Sequence, residues 1–211
     1  MGRSYAGMLS GTKTQRALGK LAESGMYLFH GSPVHVATLE PRQPLTATKA
    51  GPVPDGGLAV CASNDPRYAL LMAICSGRVR CSSGWYESDE ATWGLVQAVD
   101  HEQLRQQGEL EGYVYVCRRS AFHPWGGVEW RSNQAVRPER VIHVTQRDLP
   151  EPLLEVSGDG RPFTPSELEQ ALGDPHRYGL RPPGPGSAPT VSLKPLPAAR
   201  PRRGLVEGDQ A

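Results

Sequence analysis

The strongest strand pattern in the chain runs through Gly112–Cys117, where Tyr113, Val114, Tyr115 and Val116 alternate ring and β-branched side chains. Shorter apolar runs at Met26–His30, Leu58–Ala62, Trp93–Val99, Val128–Trp130 and Val141–Thr145 predict five further strands. Pro66–Cys75 is apolar over most of its length and predicts a helix, with Asp65 as cap and Pro66 in the first turn. Thr12–Glu23 is helix-prone and stops at Ser24–Gly25. A second helix start is spelled by Thr164-Pro165-Ser166-Glu167, running to about Leu172 with Gly173 as its stop. Residues 40–57 hold four Pro and three Gly and predict a long loop. Strands without regular helical crossovers indicate an α+β fold.

These patterns divide the chain into a helical lead-in (1–25), a compact domain (26–150), a helical extension (151–180) and a tail (181–211). The tail carries seven Pro and four Gly with no periodic apolar face, so the expectation is disorder. It is net +3, which leaves the rest of the chain net −2. The whole chain, with 23 Lys and Arg against 22 Asp and Glu, is +1. That near-balance excludes a surface-wide polyanion-binding field, though not a local basic cleft. Ala69–Cys75, at seven residues, falls far short of the roughly 18–20 needed to span a bilayer, so no membrane partner is expected. The start of the chain lacks the apolar stretch of a secretory signal. Four cysteines without a CxxC pair read as reduced thiols in a cytoplasmic protein. The six histidines show no metal-ligand spacing.

Candidate chemistry is confined to three segments. In Leu28-Phe29-His30-Gly31-Ser32-Pro33 a histidine ends an apolar strand. Gly31 then admits close approach by a ligand or another backbone, and Ser32 adds a donor and acceptor. The bland alternative is a satisfied histidine in a turn. In Val128-Glu129-Trp130-Arg131-Ser132-Asn133 the strand period puts Glu129 and Arg131 on one face and Trp130 and Ser132 on the other. A carboxylate beside a guanidinium is suited to stabilising a developing oxocarbenium ion, or else is a plain surface ion pair. In Val60-Cys61-Ala62-Ser63-Asn64-Asp65 a strand gives way to a helix, and Ser63 and Asp65 are ordinary capping chemistry. Nucleotide-binding glycine loops, a GxSxG elbow and an HExxH zinc motif are absent.

Taken in order, LFHGSP at 28–33, LEPR at 39–42, GLAVCAS at 57–63, YVYVCRR at 113–119 and EWRSNQAVRP at 129–138 resemble the ADP-ribosyltransferase-like superfamily. The resemblance covers residues 26–145 and implies a split, mixed β-sheet around an NAD cleft, with few helices. It implies that NAD is consumed as a substrate, with ADP-ribose passed to a protein, nucleic acid or small-molecule acceptor, or to water. By position His30, Gly31 and Ser32 match the first motif, which contacts the ribose and nicotinamide. Ser63 matches the second motif, whose usual aromatic is Cys61 here; Tyr68 on the following helix is a possible replacement. Glu129 matches the third motif and would be the catalytic carboxylate, with His30 as its partner. Arg42 or Arg131 would pair with the pyrophosphate, Ser132 would line the cofactor site, and loop 40–57 would cover the cleft. Two alternatives follow from the same residues. Cys61 in the aromatic position fits an inactive binding module, and Arg131-Ser132-Asn133 with the basic tail fits an RNA 2′-phosphotransferase.

Overall fold

The computed structural model describes residues 11–48, 51–87, 93–126, 129–150 and 153–155. The expected helix near 164–172 and the tail from 181 lie outside the described residues. The elements in chain order are helix α1 (Lys13–Glu23), strands β1 (Tyr27–Ser32), β2 (Leu45–Thr48), β3 (Gly51–Pro54) and β4 (Val60–Ser63), helix α2 (Pro66–Cys75), β5 (Cys81–Glu87), β6 (Trp93–Val99), helix α3 (His101–Gln106), β7 (Glu111–Arg118), β8 (His123–Gly126), β9 (Glu129–Ser132), β10 (Arg140–Thr145) and β11 (Leu154–Glu155). Three sheets result, of six strands in the order β10-β7-β1-β4-β9-β8, of three in the order β11-β6-β5, and a β2–β3 hairpin.

The expected α+β class holds, with few helices. The main sheet, however, is antiparallel at every pairing, and among the described residues the one parallel pair is β11 on β6 in the small sheet. The expectation of a long loop over 40–57 needs correction, because Leu45–Thr48 and Gly51–Pro54 pair as a hairpin. Proline survives there because a two-stranded ribbon leaves each strand an outer edge on which no N–H is required.

Helix α2 forms where its caps predict: the Asp65 carboxylate accepts from the Arg67 backbone N–H at 3.0 Å, and Pro66 occupies the first turn. Seven of its ten residues are buried, which suits a helix packed on both sides. It lies against β1 and β7 of the main sheet and also touches β5 and β6 of the small one. Close approach is secured by two glycines on adjacent strands. A Cβ at Gly31 would fall 1.9 Å from the Ala69 carbonyl oxygen, and one at Gly112 would fall 2.1 Å from that of Ala73. Helix α1 is pinned to the end of β10 by its own capping chemistry. Thr12 accepts from the Gln15 N–H, and its hydroxyl donates to Asp148 at 2.6 Å.

The sheet's two faces carry two cores. On the α2 side lie Leu18, Phe29, Leu70, Ile74, Val99, Val114, Val116 and Val144. On the other lie Leu28, Leu39, Val60, Ala62, Tyr115, Cys117, Phe122 and Val136. The segment after β1 closes over this second core. There Leu39 pairs with Val136, and the Tyr115 hydroxyl accepts from the Val36 N–H and donates to the Val34 carbonyl, both at 2.8 Å. No described helix is long and apolar enough to cross a membrane.

Candidate functional site

Strand β1 meets β7 over six residue pairs but meets β4 in one, Phe29 opposite Ser63. Beyond that pair the His30 ring takes the place of the ladder, with Nδ1 2.7 Å from the Cys61 carbonyl oxygen. A carbonyl only accepts, so Nδ1 carries the proton. Burial lowers the His30 pKa, the bond to Cys61 opposes that, and the nearby Arg42 charge lowers it again. The ring is therefore a neutral imidazole, and Nε2 is left as an acceptor with no hydrogen-bond partner among the described residues. Tyr115 backs the ring, at 5.9 Å between centroids.

On the far side of β4, strand β9 pairs in full register, with Cys61 opposite Arg131 and Ser63 opposite Glu129. Pleat alternation puts these four side chains on the α2 face. The Cys61 thiol donates to the Glu129 carboxylate. Burial first, then the Glu129 charge, pushes that thiol up to about 12, with Arg131 partly opposing. Cys61 is thus a neutral thiol near pH 7 and is not poised as a nucleophile. Tyr68, reaching from α2, stands in the electrostatic range of both Glu129 and Cys61, and its phenol pKa is raised mainly by burial.

Among the described residues, Arg131 heads the large side chains exposed by less than 2 %. Its Nε donates to Glu129 Oε1 at 2.8 Å, Nη1 to the Asp55 carbonyl at 2.6 Å and Nη2 to the Asp55 carboxylate at 2.8 Å. The Trp125 ring lies against the guanidinium at 4.0 Å, a stacked cation–π contact. Gly56, at φ +78°, turns the chain tightly beneath both, and a Cβ there would lie 3.0 Å from Arg131 Nη1. Burial opposes the cation, but the bonds and charges of Glu129 and Asp55 more than offset it and raise its pKa.

The sequence-derived candidates therefore separate. Cys61, Glu129 and Arg131 come together on the α2 face of β4 and β9, while His30, against Tyr115 on the opposite face, reaches the backbone carbonyl of Cys61 at the edge of β4. Gly31 faces α2 and serves helix packing, the second of the two approaches its lack of a Cβ allows. Ser32 and Ser132 close local turns, accepting from the Val34 N–H at 3.2 Å and the Gln134 N–H at 3.3 Å. Ser63 is buried and accepts from the Asp65 N–H at 3.0 Å, as capping chemistry requires. Arg42 is exposed and sits in a backbone bridge to Ala59. Arg131, expected at the pyrophosphate, is enclosed instead by two carboxylates and an indole.

Sequence reasoning missed Asp55, Trp125 and Tyr115. Asp55 falls within the stretch 40–57 that reads as loop, and nothing local there signals that its carboxylate meets a strand 76 positions on. No group of three or more His, Cys, Asp or Glu residues among the described residues is placed to hold a metal ion. No protein-family model, no curated protein and no solved structure matches the chain.

Proposed function

We propose that this chain binds NAD where β1 and β4 part and cleaves its nicotinamide–ribose bond, passing ADP-ribose to an acceptor or to water. The observation that carries this reading is that His30 and Glu129, far apart in sequence, both engage Cys61: the imidazole holds its carbonyl and the carboxylate holds its thiol. Two groups of the kind this reaction needs thus flank one strand.

Each residue has a distinct task. As the C1′–nitrogen bond breaks, its electron pair leaves with nicotinamide and positive charge builds on the ribose. The Glu129 carboxylate, partly open to solvent on one side and held on the other, lowers the energy of that charge. His30 Nε2, an acceptor by its tautomer, takes a hydrogen bond from a ribose hydroxyl and orients the sugar. The acceptor's oxygen or nitrogen then bonds to C1′ and gives up its proton to solvent water. Tyr68 supplies, from α2, an aromatic ring near the place where β4 carries Cys61. Arg42, exposed near His30, is a cation placed to meet a phosphate.

One observation favours a second reading. Cys61 offers no ring for nicotinamide to stack on from β4 itself, which fits a module that binds the ligand without turnover. The RNA 2′-phosphotransferase alternative draws no support, because Arg131 is enclosed and Ser132 is engaged in a turn. Nicotinamide release from NAD, followed beside Glu129→Gln, separates the first two. Release by the wild type and a loss of ~100-fold in the variant supports the enzyme. An NAD-dependent rise in Tm without release supports the binding module.

A further inference from the structure

Arg131 is only 1 % exposed, comparable to the core leucines, yet it carries a full charge. Its three bonds are divided unevenly: one to Glu129 on its own strand, two to Asp55 where the β2–β3 hairpin ends. The Trp125 ring covers one face of the guanidinium, and Gly56 packs against Nη1 and the indole. A guanidinium enclosed in this way presents no donors to a diphosphate. It does present Nε, in fixed direction, to the carboxylate oxygen of Glu129. A planar fork held at its two terminal nitrogens has little freedom left at the third. The orientation of Glu129 is consequently set from the hairpin, through a residue that ligand does not touch.

We infer that Arg131 and Asp55 are positioning residues, which fix the Glu129 carboxylate against Cys61 and make the end of the β2–β3 hairpin part of the candidate site. The inference rests on the reading of Glu129 as the carboxylate that stabilises the ribosyl cation, and it assigns Arg131 to geometry rather than to the pyrophosphate. An interaction that matters when charge develops lowers kcat when lost, whereas an anion-binding contact raises KM and weakens every diphosphate ligand. The two assignments therefore predict opposite splits.

The test compares wild type with Arg131→Lys, which keeps the charge and loses the fork, and with Asp55→Asn, which is milder because Asp55 lies near the surface. Three readouts are taken on folded full-length protein. For nicotinamide release, both variants are expected to lose at least ~10-fold in kcat with KM for NAD within about twofold of wild type. For ADP-ribose binding by calorimetry, both are expected within about twofold of wild type. The third readout needs no turnover. Cys61 is the only one of the four cysteines that is not buried, so iodoacetamide in the native state reports on it. Freeing Glu129 from its fork in Arg131→Lys is expected to speed alkylation of Cys61 about tenfold at fixed pH, as one unit of thiol pKa implies. A tenfold loss of ADP-ribose affinity in either variant, or an unchanged alkylation rate in Arg131→Lys, overturns the inference. Should Arg131→Lys fail to fold, the kcat–KM split and ADP-ribose affinity in Asp55→Asn decide it. If wild type releases no nicotinamide, the proposed activity fails while the alkylation comparison still decides whether Arg131 holds Glu129.

Discussion

The two halves of the six-stranded sheet are built on different principles. In one half, β10, β7 and β1 pair over six residues at each junction and bury Phe29, Val114, Val116 and Val144 against α2. In the other, β4 joins β1 by one pair and β9 by four, β8 slips register between Pro124 and Gly126, and the largest fully buried side chain is an arginine. The first half is held by apolar area and close helix packing. The second is held by ion pairs and a stacked guanidinium, which specify direction more than they add stability. The candidate site lies along the seam, where an imidazole replaces the ladder. The contrast teaches that a short run such as His30-Gly31-Ser32 is not one functional unit. Its histidine belongs to the seam, its glycine to the apolar half, and its serine to the turn that follows.

That division can be broken from either side. The largest effect is expected from Arg131→Met, which strands the Glu129 and Asp55 carboxylates without their cation; urea unfolding should show a loss of about 3–5 kcal/mol. Next, Gly31→Ala drives a methyl into the Ala69 carbonyl, and the same measurement should show about 3 kcal/mol lost. Gly57→Ala, with open space around it, should stay within about 0.5 kcal/mol of wild type. If Gly31→Ala proved equally silent, the close seating of α2 on β1 would be wrong.

Glu129→Gln removes one of the two carboxylate charges on buried Arg131 and should cost about 1–2 kcal/mol in urea unfolding, while nicotinamide release falls about 100-fold, close to 2.7 kcal/mol in the barrier. Tyr115→Phe removes the hydroxyl that holds Val34 and Val36, and should cost about 1–2 kcal/mol in the denaturation midpoint. The smallest expected effect is a pH dependence. His30 has a lowered pKa in the fold because of burial, while the unfolded chain titrates near the ordinary 6.5. Below that value the unfolded state binds a proton the folded state refuses, so stability falls as pH drops through it. The loss stops growing once pH passes the folded pKa. His30→Gln should flatten that limb in chemical denaturation between about pH 7 and 5; an identical slope would show that the ring is not desolvated.

What the sequence discloses follows the same division. Helix α2 and strand β6 have the residue limits that capping signals and apolar runs imply. Helix α1 agrees to within a residue of the Thr12 cap. The β2–β3 hairpin is hidden because its prolines and glycines read as loop. Strand β5 opens Cys-Ser-Ser-Gly, and β8 contains a proline, so neither shows an apolar period. Within the site, His30 and Glu129 are legible because their side-chain types in short strands suggest chemistry, although β1 runs on through Ser32 rather than ending at His30. The enclosure of Arg131 is not, because a guanidinium two residues from a carboxylate looks alike on a surface and in a core. Only the return of Asp55 and Trp125 to that strand distinguishes the two.

The most direct test of the account is a time course of nicotinamide release from NAD by wild type, Glu129→Gln and His30→Ala, at matched folded fraction and with Gly57→Ala as the neutral control. The account predicts release by wild type and Gly57→Ala, and loss in both site variants. Equal release by all four proteins, or none by wild type with no NAD-dependent change in Tm, would contradict it.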